Sequence, residues 1–185
     1  AINAALYDIA GKAWGVPVHT ILGGARRQRV RVYGHCSLDD PASAAEQARR
    51  VQELGFAGVK GNPLETRTWI RDRAAIELSI ECVAAMREAV GDEFEILVDI
   101  NGAYSLHNAI EIGKQLEDYG VFHFEQPLPI WDLDGMAALA DALTIPIAAG
   151  ETSYTRWEFL ELVTRGRPDI VQPDVIKCGG ISELI

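Results

Sequence analysis

Apolar positions along this 185-residue chain change their period again and again. The opening AINAALYDIAGKAWG sets Ile2, Leu6, Ile9 and Ala13 at helical spacing and stops at Gly15, a helix with its C-cap. VPVHTILGGARRQ reads as a loop, and RVRVYGHC then alternates as a strand does. From there strands are predicted at about 29–36, 56–62, 95–101, 121–126, 145–151 and 170–175. Helical patterns lie between them: DPASAAEQARRVQELG, then about 73–90, 106–119, 132–143 and 155–165. Each strand is separated from the next by a helix-length segment and not by a hairpin turn, which predicts a parallel βα series.

A doubly wound sheet and a (β/α)₈ barrel both fit this alternation. The first strand runs into YGHCSLDDP, which lacks the GxGxxG phosphate turn of a dinucleotide fold. Polar residues instead recur at the C-terminal end of strand after strand, where barrels build their sites. Six strands cannot close an eight-stranded barrel. The expected fold is therefore α/β, a partial TIM-type barrel with at least two strands missing from this sequence. The outsized connection from Asn62 to about Arg73 leaves a strand end, the functional side of such folds.

Composition adds exclusions. Hydrophobic residues make up 48% and charged residues 24%, with mean hydropathy +0.02, as in a soluble globular domain. No run approaches the ~20 apolar residues of a membrane span, and no basic region followed by an apolar one opens the chain. That points to the cytoplasm, although Ala1 is not a natural start. Cys36, Cys82 and Cys178 are an odd count without CxxC spacing, read as reduced thiols. A net charge of -10 argues against nucleic acid, and an anionic substrate would need a local cation.

Candidate chemistry follows from strand parity. Lys60 with Asn62, Asp99 with Asn101, then Glu125, Glu151 and Asp174 end the inward faces of successive predicted strands. Val59, Ile100, Phe124 and Val175 face the other way. Asp99, Glu125 and Glu151 follow one another at intervals of 26 residues, one βα unit each. Three carboxylates in one barrel mouth repel unless a cation sits among them. Oxygen-only donors suit a hard divalent ion, Mg²⁺ first and Mn²⁺ second. Taken singly, each acid could equally cap a helix or pair with an arginine. Lys60 could hold a substrate carboxylate or, with a lowered pKa, act as a base. Asp174 could be a fourth ligand or could orient a histidine from outside this sequence.

Taken together, AINAALYDIAGKAWGVPVHTILGG, GFAGVK, ILVDING, HFEQPLP, AAGET and DIVQPDVIKCGGISE resemble the enolase superfamily, in its mandelate racemase/muconate lactonizing enzyme branch. The resemblance implies a capping domain and a modified (β/α)₇β barrel. Residues 1–24 would be the end of the capping domain or linker, and 25–185 the first six βα units. It implies that Asp99, Glu125 and Glu151 bind Mg²⁺ while a proton α to a carboxylate is removed and an enediolate stabilised. Glu151 in GET resembles the mandelate racemase and acid-sugar dehydratase group, and Asp174 the aspartate of its Asp–His dyad. Lys177 matches the lysine of the lactonizing and epimerising enzymes. The second-strand motif, commonly Lys-x-Lys, reads VKGN here, so Asn62 replaces a possible base.

An acid-sugar (aldonate or aldarate) dehydratase giving a 2-keto-3-deoxy acid is therefore expected, with Lys60, Asp174 and Lys177 as catalytic candidates. Asn62, Asn101 and His35 are the substrate-binding candidates. Rival readings are a racemase, epimerase or cycloisomerase using Lys177, a Schiff-base aldolase, and a metal-binding barrel without turnover. The partner is a small carboxylate, and by resemblance the protein is a homo-oligomer. His123 reads as a hydrogen-bonded core residue, His19 and His107 as surface, and Trp131 and Trp157 as helix packing. Arg67, Arg71 and Arg73 read as a solvated charge run.

Overall fold

The structure, a computed structural model, describes residues 2–62 and 73–185. Helix α1 (Ile2–Trp14) and the short α2 (Val18–Ile21) precede β1 (Tyr33–Ser37), α3 (Pro41–Glu53) and β2 (Gly58–Asn62). Then come α4 (Arg73–Val90), β3 (Glu95–Asp99), α5 (Leu106–Leu116) and β4 (His123–Glu125). The remainder is α6 (Leu133–Ala142), β5 (Ile147–Ala149), α7 (Arg156–Glu161), β6 (Ile170–Val171) and α8 (Ile181–Leu184).

Local sequence explains the helix starts. Asp40 accepts from Ser43 N at 2.7 Å ahead of Pro41, Ser105 caps α5, Asp132 caps α6 and Thr155 caps α7. All six strands are parallel and lie in chain order, β1-β2-β3-β4-β5-β6. Val59, Ile96, Val98, Phe124, Ile147 and Ala149 bury one sheet face beneath Ala48, Val83, Met86, Ile112, Leu116 and Leu139 of the helices. Alternation sends Lys60, Leu97, Asp99, His123, Glu125 and Ala148 to the other face. Among the described residues β1 and β6 each pair on one side only, so the sheet is an open partial barrel.

Several expectations need correction. The strands are shorter than their apolar runs, and β6 ends at Val171, not at 175. Pro173 has no N–H to donate, so the ladder cannot run on to Asp174. β3 stops at Asp99, because Asn101 (φ 54°) and Gly102 (φ 72°) turn the backbone into the left-handed region. α2 forms after Pro17 where a loop was expected. Trp131 and Trp157 are 74% and 70% exposed and do not fill helix interfaces. Arg73 opens α4 and pairs with Glu77 at 2.7 Å, whereas Arg67 and Arg71 lie outside the described residues. His19 and His107 are exposed, as expected.

Candidate active site

Parallel register makes Asp99 and Glu125 direct cross-strand partners. Neighbouring strands lie ~4.8 Å apart, so two carboxylates there need a counter-charge. β2 supplies it. Lys60 Nζ lies 2.9 Å from Asp99 Oδ2 and 3.1 Å from both carboxylate oxygens of Glu125. Lys60, Asp99 and Glu125 are only 6%, 3% and 2% exposed, and a charge so buried persists only when paired. The backbone N–H of Asn101 donates to Asp99 Oδ1 at 3.0 Å, so the left-handed turn after β3 also holds the acid in place. The Tyr33 ring lies beneath the ammonium, 5.5 Å from Nζ to its centroid.

Two further donors reach Glu125: His123 Nε2, 3.2 Å from Oε2, and the side chain of Gln172 beyond β6. Burial alone would raise the Glu125 pKa. The hydrogen bond from His123, the Lys60 charge and the Gln172 bond outweigh it and hold the acid at about 2. At Lys60 burial pulls the pKa down, but hydrogen bonds and charge from Asp99 and Glu125 push it well above the ordinary lysine value. The lowered lysine pKa entertained from sequence is thus not what this arrangement produces. Half-buried Glu151 is raised, first by burial and then by the charges of Asp99 and Glu125, with Lys177 and Lys60 opposing. Glu151 and Lys177 therefore share one electrostatic field with the cluster.

Asp174 stands apart in role. Its Oδ1 accepts from Ile176 N at 2.7 Å and Lys177 N at 3.1 Å, bonds that lower its pKa and fold the turn carrying Lys177. His35 is exposed and in register with Lys60, while Asn62 is half-buried with its Oδ1 unpartnered among the described residues. Both line an open cleft of about 440 Å³ with Cys36, Ser37 and Gln47. Asn101 is exposed, and its described role here is through the backbone. An apolar cleft of about 240 Å³ opens at the opposite strand ends, among Tyr33, Gly58, Leu97 and Phe122, with Arg31 and Glu95 beside them. Sequence reasoning read His123 as a hydrogen-bonded core residue on this face, and it is one, but its bond to Glu125 was not foreseen. It missed Gln172, which follows the strand and carries no periodic signal.

A sequence model of the family described as "Enolase C-terminal domain-like" matches residues 43–185. The chain belongs to the enolase C-terminal domain-like family. It is 39% identical to arabinonate dehydratase of Saccharolobus solfataricus, over all of this chain and 48% of that protein. It is 36% identical to D-galactonate dehydratase of Verminephrobacter eiseniae, again over all of this chain and 48% of the relative. The solved structure of 3,6-anhydro-D-galactonate cycloisomerase from Zobellia galactanivorans superposes with a TM-score of 0.88 at 32% identity, covering 100% of this chain and 50% of that one. The chain thus spans about half the length of the curated relatives it matches. The expected superfamily and partial barrel both hold.

For this enolase-like sheet the question of a metal turns on donors. Among the described residues no group of three or more His, Cys, Asp or Glu side chains is arranged to hold an ion, because Lys60 bridges Asp99 and Glu125. In kind, however, the donors fit a hard divalent cation. They are carboxylate oxygens at the ends of β3 and β4 and in the turn after β5, and Glu151 feels both of the others.

Proposed function

We propose that the protein removes the proton α to the carboxylate of an acid sugar, an aldonate or aldarate, and dehydrates it to a 2-keto-3-deoxy acid. The observation that carries this reading is the Lys60 ammonium held between Asp99 and Glu125 at the C-terminal end of a parallel sheet, with Glu151 in the same field. Two relatives that match the full chain bear the names of acid-sugar dehydratases, which supports the substrate class.

Asp99, Glu125 and Glu151 would hold Mg²⁺, with Mn²⁺ as the alternative. When bound, such an ion supplies positive charge against the charge that develops on the substrate carboxylate as the α-proton leaves. Lys60 offers ammonium N–H donors to that carboxylate. The α-proton passes to a base, and the β-hydroxyl departs as water with a proton from an acid. Lys177 is the base candidate within this chain. Asp174, with Oδ1 committed to its turn, has Oδ2 to orient a histidine from another strand. Asn62 and His35, with Ser37 and Gln47, line a cleft suited to substrate hydroxyls, and exposed Asn101 follows β3 beside Asp99. Three free, buried thiols support a cytoplasmic location. Exposed Trp157, Leu160 and Val163 around α7 support a homo-oligomer. Among the described residues no helix is long and apolar enough to cross a membrane.

The test uses the full-length protein, an aldonate and aldarate library, Mg²⁺, and semicarbazide detection of the 2-keto product. Turnover abolished by EDTA and by Glu125→Gln is the expected result. A racemase or cycloisomerase reading draws on Lys177, close enough to lower the Glu151 pKa. Deuterium exchange at the α-carbon without 2-keto product would replace dehydration by that reading.

A further inference from the structure

His123 meets the site through one bond and leaves one of its own atoms unanswered. The ring is buried, Nε2 lies 3.2 Å from Glu125 Oε2, and Nδ1 is buried without a hydrogen-bond partner among the described residues. An ionised carboxylate only accepts, so the proton belongs on Nε2. Nε2 is therefore the donor in this bond.

We propose that His123 is a positioning residue, which fixes the Glu125 carboxylate in the orientation that meets a divalent cation. The inference rests on the reading of Asp99, Glu125 and Glu151 as the cation site. Lys60 also grips Glu125, but through a flexible four-carbon stem whose ammonium is shared with Asp99. In the proposed reaction that ammonium turns to the substrate and loosens its hold on Glu125. His123 has two side-chain torsions and is rooted two residues away on the same strand face, so its bond survives that movement. Partners of this kind commonly account for about 10- to 100-fold in metal affinity.

The probe is Mn²⁺ alone, titrated into the full-length protein and followed by the EPR signal of the free ion. Glu125→Gln is expected to abolish tight binding. His123→Leu should weaken Mn²⁺ about 10- to 100-fold, and His123→Gln, whose amide N–H reaches toward the Nε2 position, should recover most of the loss. Metal-free melting temperatures of the two His123 variants should be alike. ¹⁵N NMR of the parent protein should show Nε2 carrying its proton, a readout that stands even if His123→Leu fails to fold. Parent-like Mn²⁺ binding by His123→Leu, equal weakening in both variants, or an Nε2 without a proton would overturn the positioning role alone. A parent protein that ignores Mn²⁺, or a Glu125→Gln variant that binds it normally, would overturn the cation-site reading and this inference with it.

Discussion

Lys60 Nζ bridges two carboxylates that strand pairing sets side by side, and no single residue at the site has its properties alone. The same dependence appears at Glu117, which lies on the surface and away from the site. Its Oε1 accepts from the backbone N–H of Thr144 at 2.7 Å, and Lys114 adds a contact at 3.3 Å. The Thr144 bond is the main reason its pKa is lowered. A carboxyl with a lowered folded pKa contributes stability above its unfolded value, roughly 4.3, and loses that contribution as pH falls through the folded one. Glu117→Gln should therefore have a lower urea midpoint than the parent at pH 7, with the gap closing in acid, once the pH has fallen below both the unfolded and the folded value. An equal gap at pH 7 and in acid would remove the charge from the explanation. The thiols behave consistently with this logic. Burial, aided by neighbouring Cys82 and Asp39, pushes Cys36 up to about 12, so it is a core residue and no nucleophile.

Elements meet tightly where β2 passes β3. A Cβ at Gly58 would lie 2.8 Å from both the Cβ and the backbone oxygen of Glu95, its register partner, and 3.2 Å from Leu97 Cδ1. Backbone in mid-sheet cannot retreat. Gly58→Ala should gain some unfolded-state entropy yet lose on the order of 1–2 kcal/mol overall. The measurement is the urea midpoint at unchanged slope, and a variant as stable as the parent would show that the strands separate freely. Elements were also the most legible feature of the sequence. Caps and periodicity mark α3, α4 and α6 nearly to the residue, and strand parity places Asp99 and Glu125 at strand ends. Glu151, by contrast, lies past the end of β5, beyond Ala148, the register partner of Glu125. Alternation could not show where ladders stop. Asn101 and Asp174 continue the pattern on paper, but a left-handed turn and Pro173 have already ended the strands. Nor could it show that Lys60 bridges Asp99 and Glu125, because that depends on register between segments nearly 40 and more residues apart.

The molecule as a whole presents two open sheet edges and a partly bare inner face. Val30, Val32, Phe122 and Val171 are 69%, 55%, 46% and 39% exposed. Unpaired parallel edges flanked by apolar side chains invite further strands. The 185-residue polypeptide expressed alone should therefore bind ANS and sediment above its 20.2 kDa monomer mass. A monodisperse monomer without ANS binding would contradict this. The pairing of Asp99 with Glu125 has one further consequence. If β4 slipped by one residue, Glu125 would turn toward the helices, into the fully buried place of Phe124, and the phenyl ring would turn out. A lone carboxylate in that apolar layer costs several kcal/mol, far more than an apolar side chain loses by slipping. The acids therefore proofread the fold: a sheet assembled out of register is rejected by the same charges that the correct register brings together.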